Sequence, residues 1–127
     1  MPILTVTPVI HETDQRWLLL ELAVDGEPLA DFSLLATDRA ELARAAGEAG
    51  GFFILTCWCG VPECVGIERP VQVEHLASGQ TRWRVRDPAP AREWLFDSSQ
   101  YRQAIAEGLE LYALWLQDEA GQLEPVP

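Results

Sequence analysis

All three cysteines of the chain lie within eight residues, as Cys57, Cys59 and Cys64 in the stretch FFILTCWCGVPECVGIE. One of the two histidines, His75, follows eleven residues after the last cysteine. Three thiols and one imidazole form a Cys3His set, which is typical of Zn²⁺. Cys59-Gly60 also has the Cys-Gly step of a zinc knuckle, although such a knuckle usually has two residues between its cysteines. The spacing therefore raises the hypothesis of a zinc site on Cys57, Cys59, Cys64 and His75.

Two other interpretations of the cysteine cluster need no metal. A redox or nucleophilic cysteine needs a helix N-terminus or a nearby cation to hold it as a thiolate, whereas these cysteines follow a predicted strand and their nearest charges in the sequence are acidic. Alternatively, Cys57 and Cys59 share one strand face and pack there, because free cysteine is among the most buried residue types. The pattern favours this buried interpretation, in which a turn at Gly60 returns Cys64 to the strand.

The composition describes a short, strongly acidic chain. It has 127 residues, 20 acidic and 9 basic side chains and a formal net charge of −11. That length suits a single domain. The negative charge disfavours binding to nucleic acid or to anionic membranes and suits a basic protein partner. Lysine and asparagine are absent, which excludes a Schiff-base lysine, a P-loop lysine and a Cys-His-Asn triad.

The first residues, MPILTVTPVIHETD, lack the basic and small-residue pattern of a signal peptide. No apolar run approaches the roughly 18 residues that a membrane-spanning helix requires. We therefore expect a cytoplasmic protein, in a compartment that keeps thiols reduced.

Periodicity and turn signals predict the secondary structure. Helix-capping signals at Asp38 and Asp97 predict a short helix at about 38–47 and a long one at about 98–117. Alternating or apolar runs predict strands at 3–10, 17–24 and 52–59, the last of them central in the sheet because both its faces are apolar.

Residues 71–77 and 81–86 are predicted to form a hairpin with a loop of three residues, Ser78 to Gln80. Matching of the strand faces then pairs His75 with Trp83, Val73 with Val85 and Glu74 with Arg84. The second strand also carries a basic stripe, formed by Arg82, Arg84 and Arg86. This stripe is a candidate anion site, but we expect Glu74 and other acids to balance it across the sheet.

These elements predict an α+β fold with a mostly antiparallel sheet, one face of which the helix at 98–117 covers. Residues 1–120 are predicted to form a single α+β domain. The last residues, 121–127, are predicted to be a flexible C-terminal tail.

Three stretches of the chain resemble a family of small bacterial proteins that has no established activity. They are LTCWCGVPEC at Leu55 to Cys64, WRV at Trp83 to Val85 and FDSSQY at Phe96 to Tyr101. The family pattern is a TCxCGxxxCxGI core, then a strand with a central tryptophan and a Phe-Asp-x-x-x-Tyr helix start. The resemblance spans most of the chain and implies a shared fold, but it implies no reaction.

The sequence contains no phosphate-binding glycine loop, nucleophile elbow or paired-histidine metal motif, so it predicts no catalytic residue. The first functional hypothesis is accordingly a small acidic interaction domain of the immunity or adaptor type, without enzymatic activity. The alternatives are a zinc-binding module on the cysteine cluster and a thiol-redox enzyme.

Overall fold

A computed structural model describes residues 1–118 and 122–126. It confirms the α+β fold with antiparallel sheets and a long C-terminal helix. The helices are α1 (Arg39–Gly47) and α2 (Ser98–Asp118), with a short 3-10 helix at Pro62–Val65. The strands are β1 (Leu4–Glu12), β2 (Arg16–Val24), β3 (Glu27–Pro28), β4 (Leu35–Thr37), β5 (Gly50–Phe52), β6 (Leu55–Cys57), β7 (Val71–His75), β8 (Gln80–Val85), β9 (Arg92–Asp97) and β10 (Glu124–Pro125).

The strands form three sheets. β1 and β2 make a long antiparallel hairpin, and β3 and β10 both pair with β2. β4 pairs with β6 in a small two-stranded sheet, and the third sheet has the order β5-β7-β8-β9. Pro8 lies in β1, an edge strand, where its missing N–H breaks no sheet hydrogen bond.

The predicted tail at 121–127 is wrong for the residues that the structure describes there. β10 runs parallel to β2, opposite Trp17 and Leu18. The side chains of Leu123 and Val126 are buried in the core, and the Val126 N–H donates to the Leu18 carbonyl at 3.0 Å. Burial of these two apolar side chains explains why the segment returns to the fold. Gly121 and Pro127 lie outside the described residues.

Helix α2 begins as the sequence predicts and packs on β1. The carboxylate of Asp97 accepts a hydrogen bond from the Gln100 N–H at 3.0 Å, which is the predicted cap. The Gln100 side chain then bonds both backbone groups of Leu4, as a neighbouring strand would. A Cβ atom at Gly108 would lie 2.3 Å from a Val6 methyl group, so glycine is needed for this close approach of helix to strand.

The third sheet and α2 enclose an aromatic core, which we define as Trp83, Phe96 and Tyr101. All three side chains are fully buried and their rings contact one another at centroid distances of 5.6–5.7 Å. The Trp83 indole N–H donates to the Tyr101 hydroxyl at 2.9 Å, and that hydroxyl donates to the Ala45 carbonyl at 2.6 Å. One phenol therefore links α2, β8 and α1.

The predicted strand at 52–59 is two strands in different sheets. β5 pairs with β7, whereas β6 pairs with β4 and ends at Cys57. The chain changes sheet at Phe53-Ile54, between them. An apolar run that is buried on both faces carries no signal for which sheet it joins.

The predicted register of the β7–β8 hairpin is wrong by two residues. The loop has three residues, but they are Ala77 to Gly79, and Gly79 takes the left-handed conformation (φ +83°) at the last loop position. That position favours glycine in three-residue hairpin loops. The observed pairs are His75 with Thr81, Val73 with Trp83 and Glu74 with Arg82.

Within the described residues, no helix combines the length and apolarity that crossing a membrane requires.

Candidate metal centre

The cysteine loop, which we define as residues 57–64, leaves the end of β6 through a tight turn. The Gly60 N–H donates to the Cys57 carbonyl at 2.9 Å, and Gly60 takes the left-handed conformation with φ +89°. A residue with a Cβ atom adopts this conformation at a cost, so glycine suits the turn. The 3-10 helix follows, and Cys64 lies in it. Turn and helix together reverse the chain between Cys59 and Cys64.

The reversal brings all three sulfur atoms together. Every pair of Sγ atoms lies within 4.8 Å, and those of Cys59 and Cys64 are 3.5 Å apart. None of the three cysteines forms a disulfide. The prediction that the turn returns Cys64 to Cys57 and Cys59 is therefore confirmed.

The expectation that the cysteines are buried is wrong for two of them. Cys57 is half-buried at the end of β6, whereas Cys59 and Cys64 are exposed. The strand ends at Cys57, so Cys59 does not share a buried strand face with it. Packing in the core consequently does not explain why cysteine stands at positions 59 and 64.

Hydrogen bonds shift the pKa values of the two exposed thiols in opposite directions. The pKa of Cys59 lies below its ordinary value because the backbone N–H of Val61 donates to its sulfur, with further contributions from the Cys57 and Cys64 thiols. The pKa of Cys64 is raised, first by its hydrogen bond with the Cys59 sulfur and second by desolvation. The cluster thus favours a first thiolate at Cys59, with the neighbouring thiols as donors to it.

Trp58 anchors the loop without covering the thiols. Its indole N–H donates to the carbonyls of Leu35 at 2.9 Å and Phe32 at 3.2 Å. Its ring also meets those of His11 and Trp17 edge-on, at centroid distances of 5.5 and 5.9 Å. No local sequence pattern indicates this anchoring role, because the partners of the indole are backbone atoms of a distant segment.

His75, the predicted fourth ligand, does not join the cysteines. Its Nδ1 lies 3.0 Å from the Thr81 hydroxyl and its Nε2 lies 2.9 Å from the Glu48 carbonyl. Both ring nitrogens are therefore used in hydrogen bonds within the fold. Among the described residues, the group of potential metal ligands around the sulfur atoms consists of Cys57, Cys59 and Cys64 alone.

The arginine stripe is mostly balanced by acids, as predicted. Arg82 and Arg84 each form ion pairs with Glu74 and with Glu93, at nitrogen–oxygen distances of 3.1–3.8 Å. Arg86, the third member, is exposed at the end of the stripe. Two of the three guanidinium groups are therefore occupied within the sheet, which weakens the case for an anion site.

The sulfur separations fit a thiolate-bound metal. With Zn–S bonds of about 2.3 Å, the sulfur atoms of a tetrahedral site lie about 3.8 Å apart. The Cys59 and Cys64 sulfur atoms are 3.5 Å apart and the other separations are no more than 4.8 Å, so small side-chain rotations would bring all three to this spacing. The cluster can hold one metal ion on three sulfur ligands.

Comparison with known proteins adds no assignment: no protein-family profile, no curated protein and no solved structure matches the chain. The resemblance to the small bacterial family stays a prediction.

Proposed function

We propose that the chain binds one soft transition-metal ion, Zn²⁺ in the cell, on the thiolates of Cys57, Cys59 and Cys64. The observation that carries the proposal is the convergence of three sulfur atoms within 4.8 Å, two of them on exposed side chains. Three neighbouring thiolates repel one another in the absence of a cation, and a divalent ion removes that repulsion. The zinc-binding module is thus the alternative that the geometry supports best.

The donor set selects the class of metal. Thiolates are soft ligands that prefer Zn²⁺, Cu⁺ and iron–sulfur clusters, whereas Mg²⁺ and Ca²⁺ prefer oxygen. A backbone N–H aimed at the Cys59 sulfur also stabilises the deprotonated form that binds metal. Cytoplasmic localisation belongs to the same proposal, because a reducing compartment keeps the three thiols available.

The interaction-domain hypothesis and the zinc hypothesis are compatible. The net charge of −11 still favours a basic partner, and a metal site on an exposed loop can serve binding without catalysis. The thiol-enzyme hypothesis has weaker support, because no histidine contacts a cysteine among the described residues. His75 is held by Thr81 and Glu48, and His11 lies against the Trp58 ring.

Metal analysis of the untagged chain, purified without chelator under reducing conditions, tests the proposal. We expect about one equivalent of zinc per chain, because protein thiolates bind zinc tightly at neutral pH, and less than about 0.2 equivalents would refute the assignment. Native mass spectrometry of the same sample checks that the ion is bound to folded protein.

Single substitutions locate the ion. Cys59→Ser and Cys64→Ser are each expected to lower the bound zinc well below stoichiometry, because a neutral hydroxyl is a poor replacement for a thiolate. His75→Ala is the matched control, since His75 lies away from the sulfur atoms, and it should keep the wild-type zinc content. Loss of zinc in His75→Ala with retention in Cys64→Ser would contradict the proposed ligand set.

A further inference from the structure

The three-cysteine cluster leaves a tetrahedral ion one ligand short. Structural zinc sites have four protein ligands, whereas sites with three protein ligands keep an exchangeable fourth position. In the described part of the chain, no histidine or carboxylate joins the three sulfur atoms. Both ring nitrogens of His75 are engaged elsewhere, so this imidazole would have to break two hydrogen bonds before it could reach the ion.

The exposure of the cysteines shows which side of the ion is open. Cys57 connects the cluster to β6 and is half-buried, whereas Cys59 and Cys64 are exposed. The Trp58 ring, which would be the bulkiest neighbour, is turned towards the carbonyls of Phe32 and Leu35. An ion held by the three sulfur atoms therefore has protein on the β6 side and solvent on the opposite side.

We propose that the bound metal ion keeps one solvent-facing position, and that this position takes a neutral nitrogen donor of the imidazole class from outside the chain. The inference rests on the proposed metal site. It assigns that site a ligand class, and so makes the cysteine loop a binding site for histidine-type ligands in addition to a structural element.

Charge selects the class of the fourth ligand. Three thiolates and one divalent ion give a centre of net charge −1, in a chain whose formal charge is already −11. A carboxylate or a fourth thiolate would bring the centre to −2, whereas imidazole adds no charge. Repulsion between unit charges a few ångströms apart amounts to about 1 kcal/mol or more in water, or about a fivefold to tenfold change in affinity.

Cobalt substitution makes the fourth position visible. Co²⁺ replaces Zn²⁺ in the apo chain under anaerobic conditions, the thiolate charge-transfer bands in the near ultraviolet report sulfur ligation, and the visible bands report the whole ligand set. Titration with imidazole is expected to shift the visible bands with saturation while the charge-transfer bands remain. Acetate is the matched anionic ligand and should need at least about fivefold higher concentration for any comparable shift.

The outcomes separate this inference from the metal site itself. Absence of the charge-transfer bands would refute both the thiolate metal site and its open fourth position. Thiolate bands together with visible bands that imidazole leaves unchanged would overturn the open position alone, and equal responses to imidazole and acetate would overturn the charge argument.

Two variants test for a ligand supplied by the chain. His11→Ala and His75→Ala are expected to give the wild-type cobalt spectrum before imidazole is added. A change in either spectrum would mean that the chain's own imidazole closes the site, and would overturn the inference.

Discussion

The aromatic core and the cysteine loop use their unusual residues in opposite ways. Trp83, Phe96 and Tyr101 are fully buried, and the polar atoms of the indole and the phenol bond each other and the Ala45 carbonyl. Cys59 and Cys64 are exposed, and their sulfur atoms lie 3.5 Å apart. Packing and hydrogen bonding within the chain explain why aromatic residues stand in the first region. They do not explain why cysteines stand in the second.

This difference indicates what each region contributes. A buried aromatic cluster with satisfied polar atoms stabilises the fold. Exposed thiols that converge without being buried contribute little apolar burial, so their proximity suggests a ligand. We therefore expect substitutions in the aromatic core to change the free energy of unfolding, and substitutions in the cysteine loop to change metal binding.

The largest expected effect is that of Trp83→Ala. Removal of a fully buried indole leaves a cavity and takes away the N–H donor to the Tyr101 hydroxyl, and it typically lowers the free energy of unfolding by about 3–5 kcal/mol. Urea unfolding of the zinc-free chain measures this decrease in the free energy of unfolding. If the variant does not fold, Trp83→Phe tests the same point with a smaller cavity. Folded variants should keep the wild-type zinc content, and loss of zinc in a folded variant would show that the two regions are coupled.

Zinc itself should stabilise the folded chain by a comparable amount. An ion that binds only the folded state adds about 2.7 kcal/mol when its free concentration is 100 times the dissociation constant. The unfolding midpoint in urea should accordingly rise when zinc is added to the wild type and stay constant in Cys59→Ser. A wild-type midpoint that does not respond to zinc would contradict a site formed by the folded loop.

Loss of the Tyr101 hydroxyl should have a smaller effect. Tyr101→Phe leaves the Trp83 N–H and the Ala45 carbonyl unpaired in the core, which should lower the free energy of unfolding by about 1–3 kcal/mol. Tyr112→Phe is the matched control, because that buried hydroxyl donates to the Leu18 carbonyl at 3.1 Å, whereas the Tyr101 hydroxyl both donates to a carbonyl and accepts from an indole N–H. Equal decreases in the free energy of unfolding in the two variants would contradict the role of Tyr101 in linking α2, β8 and α1.

Gly60→Ala tests the turn that sets the sulfur positions. Gly60 has φ +89°, and a left-handed conformation costs a residue with a Cβ atom about 1–2 kcal/mol. We expect weaker zinc binding in competition with a chromophoric chelator, together with a small loss of stability. Gly47→Ala, at the end of α1 where an added Cβ meets nothing within 4 Å, should leave zinc affinity unchanged. Equal affinities for all three proteins would contradict a role of this turn.

Local sequence signals are sufficient to predict the helices. The strand register and the position of the C-terminal segment depend on tertiary contacts, which the sequence pattern does not reveal. Asp38 and Asp97 cap α1 and α2 as predicted, because a cap depends on residues three apart in the chain. The β7–β8 register depended on where Gly79 sits in its loop. The return of Leu123 to the core depended on a surface formed by β2, which no local pattern reveals.

The same distinction between local and tertiary features applies to the candidate site, of which only the local part is predictable from the sequence. The turn at Gly60 is a local feature, and it returned Cys64 to the other cysteines as expected. The general behaviour of free cysteine predicts burial of Cys59, but the early end of β6 overrides that tendency. The spacing in the sequence predicts His75 as a ligand, whereas its position follows from the hairpin that also contains Thr81.

Asp87 links the segment that follows the cysteine loop to the end of β8. Its carboxylate accepts hydrogen bonds from the backbone N–H groups of Glu68 and Arg69, just after the cysteine loop, and pairs with the Arg69 side chain at 2.6 Å. Asp87 itself follows β8, which carries Trp83. Arg69 and these N–H groups hold the pKa of Asp87 well below its ordinary value.

A carboxylate with a lowered pKa in the folded state contributes stability that is present above its unfolded pKa, about 3.9, and is lost as the pH falls towards the folded pKa. Asp87→Asn should therefore destabilise the chain at pH 7, by the smallest amount in this series because Arg69 is exposed. The difference from wild type, measured by urea unfolding, should shrink between pH 5 and pH 3. A difference that is constant over this range would show that hydrogen-bond geometry, rather than the charge of Asp87, connects the Glu68-Arg69 segment to the third sheet.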